Sequence, residues 1–207
     1  MTDERDRRYL AFEGTRRIAA GKLERVALRV KQRVDEGTRA PVLVVDALTS
    51  ETVELDLRGT PADVRRRLAD RRAAECAQAL PDDGAVRGPG RPRLGVVARE
   101  VTLLPRHWEW LREQPGGASV ALRKLVEEAR RASAGRDRLR RARDAAYRFM
   151  HVLAGNEPGF EEAVRALYAG DPERFRAMTA RWPADVRAHA RALAGSALGS
   201  EEPANDA

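Results

Sequence analysis

The 207-residue sequence predicts an α+β fold, and three features carry that prediction. Alternating or β-branched apolar runs are confined to residues before 58 and one stretch after 95; a proline- and glycine-rich segment, PDDGAVRGPGRPRLG, occupies 81–95; and the last third repeats its apolar residues at helical spacing. The expected order is a strand pair followed by a helix, twice, then a linker, a strand-helix-helix segment and a helical region.

After a charged start, Tyr9–Phe12 and Arg17–Ala20 flank Glu13-Gly14, whose glycine suits a tight hairpin turn. From Lys22 to Val34, Leu23, Val26, Ala27 and Val30 recur at helical spacing, and Glu36-Gly37 supplies a stop. Pro41 then opens a second strand pair, in which the β-branched run Val42–Val45 and the alternating run Thr52–Leu57 are joined by turn chemistry from Asp46 to Glu51. Thr60-Pro61-Ala62-Asp63 reads as a helix start, with threonine as N-cap and proline in the first turn, and the helix runs to about Leu80. Residues 1–80 are thus expected to form an α+β domain, and 81–95 an extended basic linker.

Beyond the linker, Val96–Leu104 reads as a strand and Pro105–Gln114 as a short helix. A break at Pro115–Gly117 precedes a second helix, Ser119–Arg131, with Ser119 as N-cap. Leu122, Leu125, Val126 and Ala129 give that helix one apolar face and leave Arg123, Lys124, Arg130 and Arg131 outside it. Residues 132–199 are expected to be helical. The stripe Leu139, Ala142, Ala146, Phe149 and Leu153 ends at Gly155; Phe160, Val164, Leu167 and Tyr168 mark another helix; Gly170-Asp171-Pro172 ends it and caps the next; Pro183 opens the last. Residues 200–207 read as a frayed, disordered acidic tail.

The formal net charge is +7, which favours acidic partners such as nucleic acid or an anionic surface. Nearly all of it is arginine in an alanine- and glycine-rich chain, a usage that GC-rich coding also produces, so distribution says more than the total. Residues 1–80 hold 17 basic and 14 acidic side chains, 81–150 hold 16 and 9, and 151–207 hold 6 and 9. The middle carries the excess. Cys76 is the lone cysteine, which suits a reducing, cytoplasmic setting, and no apolar run is long enough to span a membrane. His107, His151 and His189 are scattered without metal-ligand spacing. No phosphate-cradling glycine loop, Gly-x-Ser-x-Gly turn or Cys/His pairing is present, so no catalytic residue, metal or cofactor is expected and an enzyme is the weakest class. Trp108, Trp110 and Trp182 fall at helical positions beside apolar neighbours and read as core residues.

Two short segments carry the functional signal. Arg87-Gly88-Pro89-Gly90-Arg91-Pro92-Arg93 resembles an AT-hook, whose Gly-Arg-Pro centre lies in a narrow A·T minor groove where the negative potential attracts arginine. Read as plain polymer, the same seven residues are a stiff linker. Val96–Arg131 resembles the ribbon-helix-helix fold of small bacterial repressors and antitoxins through Pro105 after the strand and Gly117-Ala118-Ser119 before Leu122-Arg123. That resemblance implies an obligate homodimer through Val96–Leu104, a two-stranded ribbon in the major groove and phosphate at the second helix start. Intrachain strand pairing over two ordinary core helices is the competing arrangement. At whole-chain scale, YLAFEGTRRIAAG, GRPRLGVVAREVTLLPRHWEWLREQPGGASVALRKLVEEARR, AYRFMHVLAGNEPGFEEAVRALYAGD and WPADVRAHA resemble an uncharacterised bacterial family, domain of unknown function 2239. It implies no activity.

The sequence therefore points to a cytoplasmic DNA-binding protein, of the kind that regulates transcription. Its expected DNA contacts are Arg87, Arg91, Arg93, Arg99, Thr102, Ser119, Arg123 and Lys124. The arginine-rich run Arg136–Arg143 is a supporting contact, partly neutralised by Asp137 and Asp144. The alternative is an antitoxin-like protein-interaction module that does not touch DNA.

Overall fold

A computed structural model describes residues 8–79 and 99–198. The described chain is mixed, one small antiparallel sheet accompanied by helices, as the α+β prediction requires. Strands β1 (Tyr9–Glu13) and β2 (Arg16–Gly21) form the expected hairpin, with Gly14 at a φ of 57° in its turn. Helix α1 (Leu23–Asp35) follows, and β3 (Val42–Asp46) returns antiparallel to β1, giving the order β2-β1-β3.

The central strand works on both faces. Because successive side chains alternate, Leu10 and Phe12 join the larger core, while Ala11 between them joins Val26 and Val30 of α1 on the other side. On β3, Val45 and Leu43 take the first side and Val44 and Val42 the second.

The second expected strand pair is corrected here. Thr52–Leu57 forms no ladder: a single bridge links Val45 to Thr52, and the Val53 amide donates to the Val44 carbonyl at 2.8 Å. The alternation itself is real, since Val53, Leu55 and Leu57 are half-buried against the α1 side and Glu54, Asp56 and Arg58 are exposed. What differs is the pairing. β3 pairs along its whole length with β1, because their apolar residues line the same two faces, and its other edge takes only the start of this segment. The turn after β3 is held by the buried Asp46 carboxylate, which accepts from the amides of Leu48 and Thr49 at 2.8 and 2.9 Å.

Helix α2 (Pro61–Ala79) starts as the sequence predicts. Thr60 Oγ1 accepts from the Asp63 amide at 3.3 Å, and the Asp63 carboxylate accepts from the Thr60 amide at 3.0 Å, a reciprocal cap. Arg67 reaches back from α2 to the Asp56 carbonyl at 2.9 Å, tying the irregular segment to the helix.

Helices α3 (Pro105–Glu113) and α4 (Gly117–Ala154) come next. The short helix after Pro105 is as expected, but the helix assigned to Ser119–Arg131 and the one expected from Arg136 are one continuous element. RRASAGRD contains no proline, and its one glycine, Gly135, is tolerated in the interior. Ser119 consequently lies inside a helix and does not cap it; Gly116 and Gly117, at φ of 85° and 75°, make the turn two residues earlier. The expected strand Val96–Leu104 is also corrected over its described part. Residues 99–104 have no strand pairing, because no other described segment offers them a ladder.

Helices α5 (Phe160–Ala169), α6 (Pro172–Met178) and α7 (Ala184–Leu198) complete the fold. Gly170 ends α5 at a φ of 76°, and Asp171 caps α6 by accepting from the Arg174 amide at 2.9 Å, both as read from the sequence.

The residues fall into two compact units, one made of the chain up to Ala77 together with the chain from Asp137, the other spanning Gln78–Arg136. The first holds the main core. There Phe12 and Phe149 meet at 5.5 Å between ring centroids, alongside Met150, Leu167, Phe175 and Trp182, whose indole N–H donates to the Pro158 carbonyl at 3.1 Å. Trp182 is thus the core residue its sequence context suggested. The second unit has little core: Leu111 and Ala121 are its buried apolar residues among those described.

Candidate nucleic-acid interface

Of the residues expected to contact DNA, Arg87, Arg91 and Arg93 lie outside the described residues. Arg99 and Thr102 are exposed in the unpaired segment before α3. Ser119, Arg123 and Lys124 are exposed on the first turns of α4, where Arg123 Nε donates to the Ser119 carbonyl at 3.0 Å. The helix start proposed to hold phosphate is therefore displaced to Gly116-Gly117, and the Ser119 carbonyl is occupied by Arg123.

Charge on this unit is only partly neutralised. Arg130 and Arg131 share Glu127, at 2.8 and 3.1 Å, and the hydrogen bond from Arg130 holds the Glu127 carboxyl below its ordinary value. Arg99, Arg106, Arg112 and Lys124 are exposed and make no ion pair or hydrogen bond with another described residue. Beside them stand large apolar side chains with little cover: Val101 (53 % exposed), Leu104, Trp110 (48 %), Leu125 and Val126 (64 %). Trp110 is thus not the core residue its spacing suggested; in a nine-residue helix the one buried position is Leu111.

The first unit presents a different surface, whose arginine run was expected from the sequence as a supporting contact and whose aromatic row was not. Along α4 from residue 137 onward, Arg138, Arg140, Arg141, Arg143 and Arg148 outnumber Asp137 and Asp144. Asp137 takes Arg140 at 3.1 Å, and Arg148 donates to the Thr49 carbonyl. Arg143 is half-buried, its Nε has no hydrogen-bond partner, and its guanidinium lies beside Gly170 at the end of α5. Next to these cations runs a row of four aromatic rings. Phe160 and His151 are 6.3 Å apart by centroid, His151 and Tyr147 are stacked at 5.7 Å, and Tyr147 and Tyr168 meet at 6.4 Å. Tyr147 (38 %) and Tyr168 (46 %) are both substantially exposed, as is His151. Partial burial, helped by Asp144 and Tyr147, raises the Tyr168 hydroxyl above its ordinary value, while Arg143 opposes the shift. The i, i+4 spacing of Tyr147 and His151 was legible in the sequence; the addition of Phe160 and Tyr168 needed the α5 docking geometry.

A groove of about 1150 Å³ also lies in the first unit, between the start of α1, residues 51–54 and α2. Its lining mixes Lys22, Arg65, Arg66, Arg71 and Arg72 with Glu24, Asp46, Glu51 and Glu54. Arg65 approaches Glu24 at 3.4 Å and Arg66 is held by Asp63 at 2.8 Å, so the groove concentrates neither sign of charge. Among the described residues there is no group of three or more His, Cys, Asp or Glu able to hold a metal ion, and no helix long and apolar enough to cross a membrane.

One family matches the chain: residues 8–194 fit the family described as "Uncharacterized protein conserved in bacteria (DUF2239)". No curated protein and no solved structure matches it.

Proposed function

The chain belongs to the uncharacterized bacterial family DUF2239, and on that premise, which brings no activity with it, we propose that it is a cytoplasmic DNA-binding protein, a regulator of transcription and not an enzyme. The observation that carries the reading is the set of exposed, unpaired cations Arg99, Arg106, Arg112 and Lys124 within one small unit. A cation without a carboxylate partner is free to displace counterions from phosphate, so each adds to a salt-dependent affinity. Arg123 and the exposed hydroxyls of Thr102 and Ser119 supply further backbone contacts. In the sequence, the Arg87, Arg91 and Arg93 arm precedes this surface and would enter the minor groove.

The exposed Val101, Leu104, Trp110, Leu125 and Val126 favour an apolar partner, and the occupant that fits the ribbon-helix-helix resemblance is a second copy of the chain. The same residues are what favours the second reading, an antitoxin-like module that covers this face with another protein and leaves DNA alone.

Gel-shift titration of A·T-rich and G·C-rich duplexes at two salt concentrations separates the two. DNA binding predicts a shift at low salt that weakens steeply with salt; Arg91→Ala and Arg93→Ala reduce the A·T preference, and Lys124→Ala lowers the salt slope by about 1. Absence of any shift at low salt removes the DNA reading. A solution mass of one chain at micromolar concentration removes the homodimer.

A further inference from the structure

We propose that the aromatic row on α4 and α5 of the first unit is a stacking platform for the unpaired bases of a single-stranded nucleic acid. The inference rests on the nucleic-acid reading above and assigns a second, structurally separate contact surface to it. Three observations converge. First, Tyr168, Tyr147, His151 and Phe160 follow one another at 5.7–6.4 Å between centroids, and Tyr168, Tyr147 and His151 are exposed, which core packing does not require. Second, every base has a π-face, so a row of exposed rings accepts bases with little regard to sequence. Third, a cation stands beside the row. Arg143 lies half-buried beside Gly170 with no hydrogen-bond partner, its Nε buried and unmatched, and its charge acts on Tyr168. A guanidinium in that state lacks an acceptor that a phosphate oxygen would supply.

Charge complementarity selects this occupant over an apolar protein face, and the exposed rings select it over a merely acidic one. A protein partner docking on bare rings needs no excess of arginine, whereas a strand whose bases stack on the rings brings its phosphates alongside them. Asp144 is close enough to Tyr168 to raise its hydroxyl's pKa, and Glu161 is exposed in the first turn of α5, so phosphates must run on the Arg143 side of the row. Duplex DNA, with its bases already stacked, gains nothing from the rings.

The test uses the full chain, a fluorescein-labelled 20-mer of thymidine, the same length of uridine and a duplex of mixed sequence, read by anisotropy at low salt. Tyr147→Leu with Tyr168→Leu keeps apolar area and removes the rings; Tyr147→Phe with Tyr168→Phe keeps the rings and removes the hydroxyls. The expected result is a loss of about ten-fold or more in single-strand affinity for the leucine pair, near-wild-type affinity for the phenylalanine pair, and unchanged duplex affinity for both. Arg143→Gln weakens single-strand binding and its salt dependence together. Equal single-strand affinity of wild type and the leucine pair overturns the platform while leaving duplex binding standing. Wild-type protein that binds neither strand nor duplex overturns this inference and the reading beneath it. Thermal unfolding of each variant distinguishes lost contact from lost fold, and a leucine pair that fails to fold leaves Arg143→Gln and the phenylalanine pair to decide: single-strand affinity unaffected by the first, or lost with the second, also overturns it.

Discussion

Histidine 189 ties the stability of the first unit to pH in a calculable way. Its ring lies edge-on to Phe149, 4.6 Å between centroids, and its Nε2 is buried with no hydrogen-bond partner. Burial, assisted by the positive charge of Arg17, pushes its pKa from 6.5 down to about 4. The folded protein therefore holds His189 neutral, while the unfolded chain binds a proton below about pH 6.5, so the unfolded state takes up more protons and stability falls as pH drops through this window. The loss begins near the unfolded value and levels off below the folded one. At pH 5 it amounts to about 2 kcal/mol relative to pH 7.5, and full displacement of the equilibrium to about 3 kcal/mol. The carboxylates held low by arginine or threonine partners, Glu13, Glu36 and Asp63, add their own loss only at lower pH, because each starts from 4.5 or 3.8. Urea unfolding followed by circular dichroism at pH 7.5 and pH 5 is the assay. Wild type should lose about 2 kcal/mol more across that interval than His189→Leu, which cannot titrate. Identical losses in the two proteins, or a His189 ring titrating near 6.5 by NMR in the folded state, would refute the reasoning.

Two local predictions follow from backbone geometry. Thr60→Ala removes the hydroxyl half of the reciprocal cap at the start of α2 and should lower stability by about 1 kcal/mol, with Thr60→Ser nearly neutral, measured by denaturant midpoint. Gly159→Ala places a methyl at a φ of 82° and 3.0 Å from the Met178 carbonyl oxygen, so it should cost more than the ~1–2 kcal/mol of the backbone conformation alone; an unchanged melting temperature would show that the α5–α6 approach is looser than described.

Local chemistry was legible wherever the cause lay within a few residues. The hairpin around Gly14, the Thr60 cap, the Gly170-Asp171-Pro172 junction and the Pro105 helix are all set by φ preferences and short-range hydrogen bonds, and the sequence reading of each agrees with the structure. Exposure of Arg123 and Lys124 was equally readable, since charge placed off an apolar stripe has nowhere to go but solvent. Partner choice was not. Thr52–Leu57 has the alternation of a strand and starts at the open edge of β3, yet it makes only the Thr52 bridge there, and alternation cannot say whether a segment follows an edge or leaves it.

By itself, the sequence determined the α+β class, most element boundaries, the family and the location of the arginine excess, because these depend on periodicity, turn chemistry and composition. Only the tertiary structure decided that Phe12 and Phe149 belong to one core, that β3 closes on β1, and that Phe160 and Tyr168 come to stand beside His151 and Tyr147. Each of those facts is a contact between residues distant in the chain. Such contacts are fixed by which complementary surfaces exclude water together, and a surface belongs to assembled elements, not to any one segment of sequence.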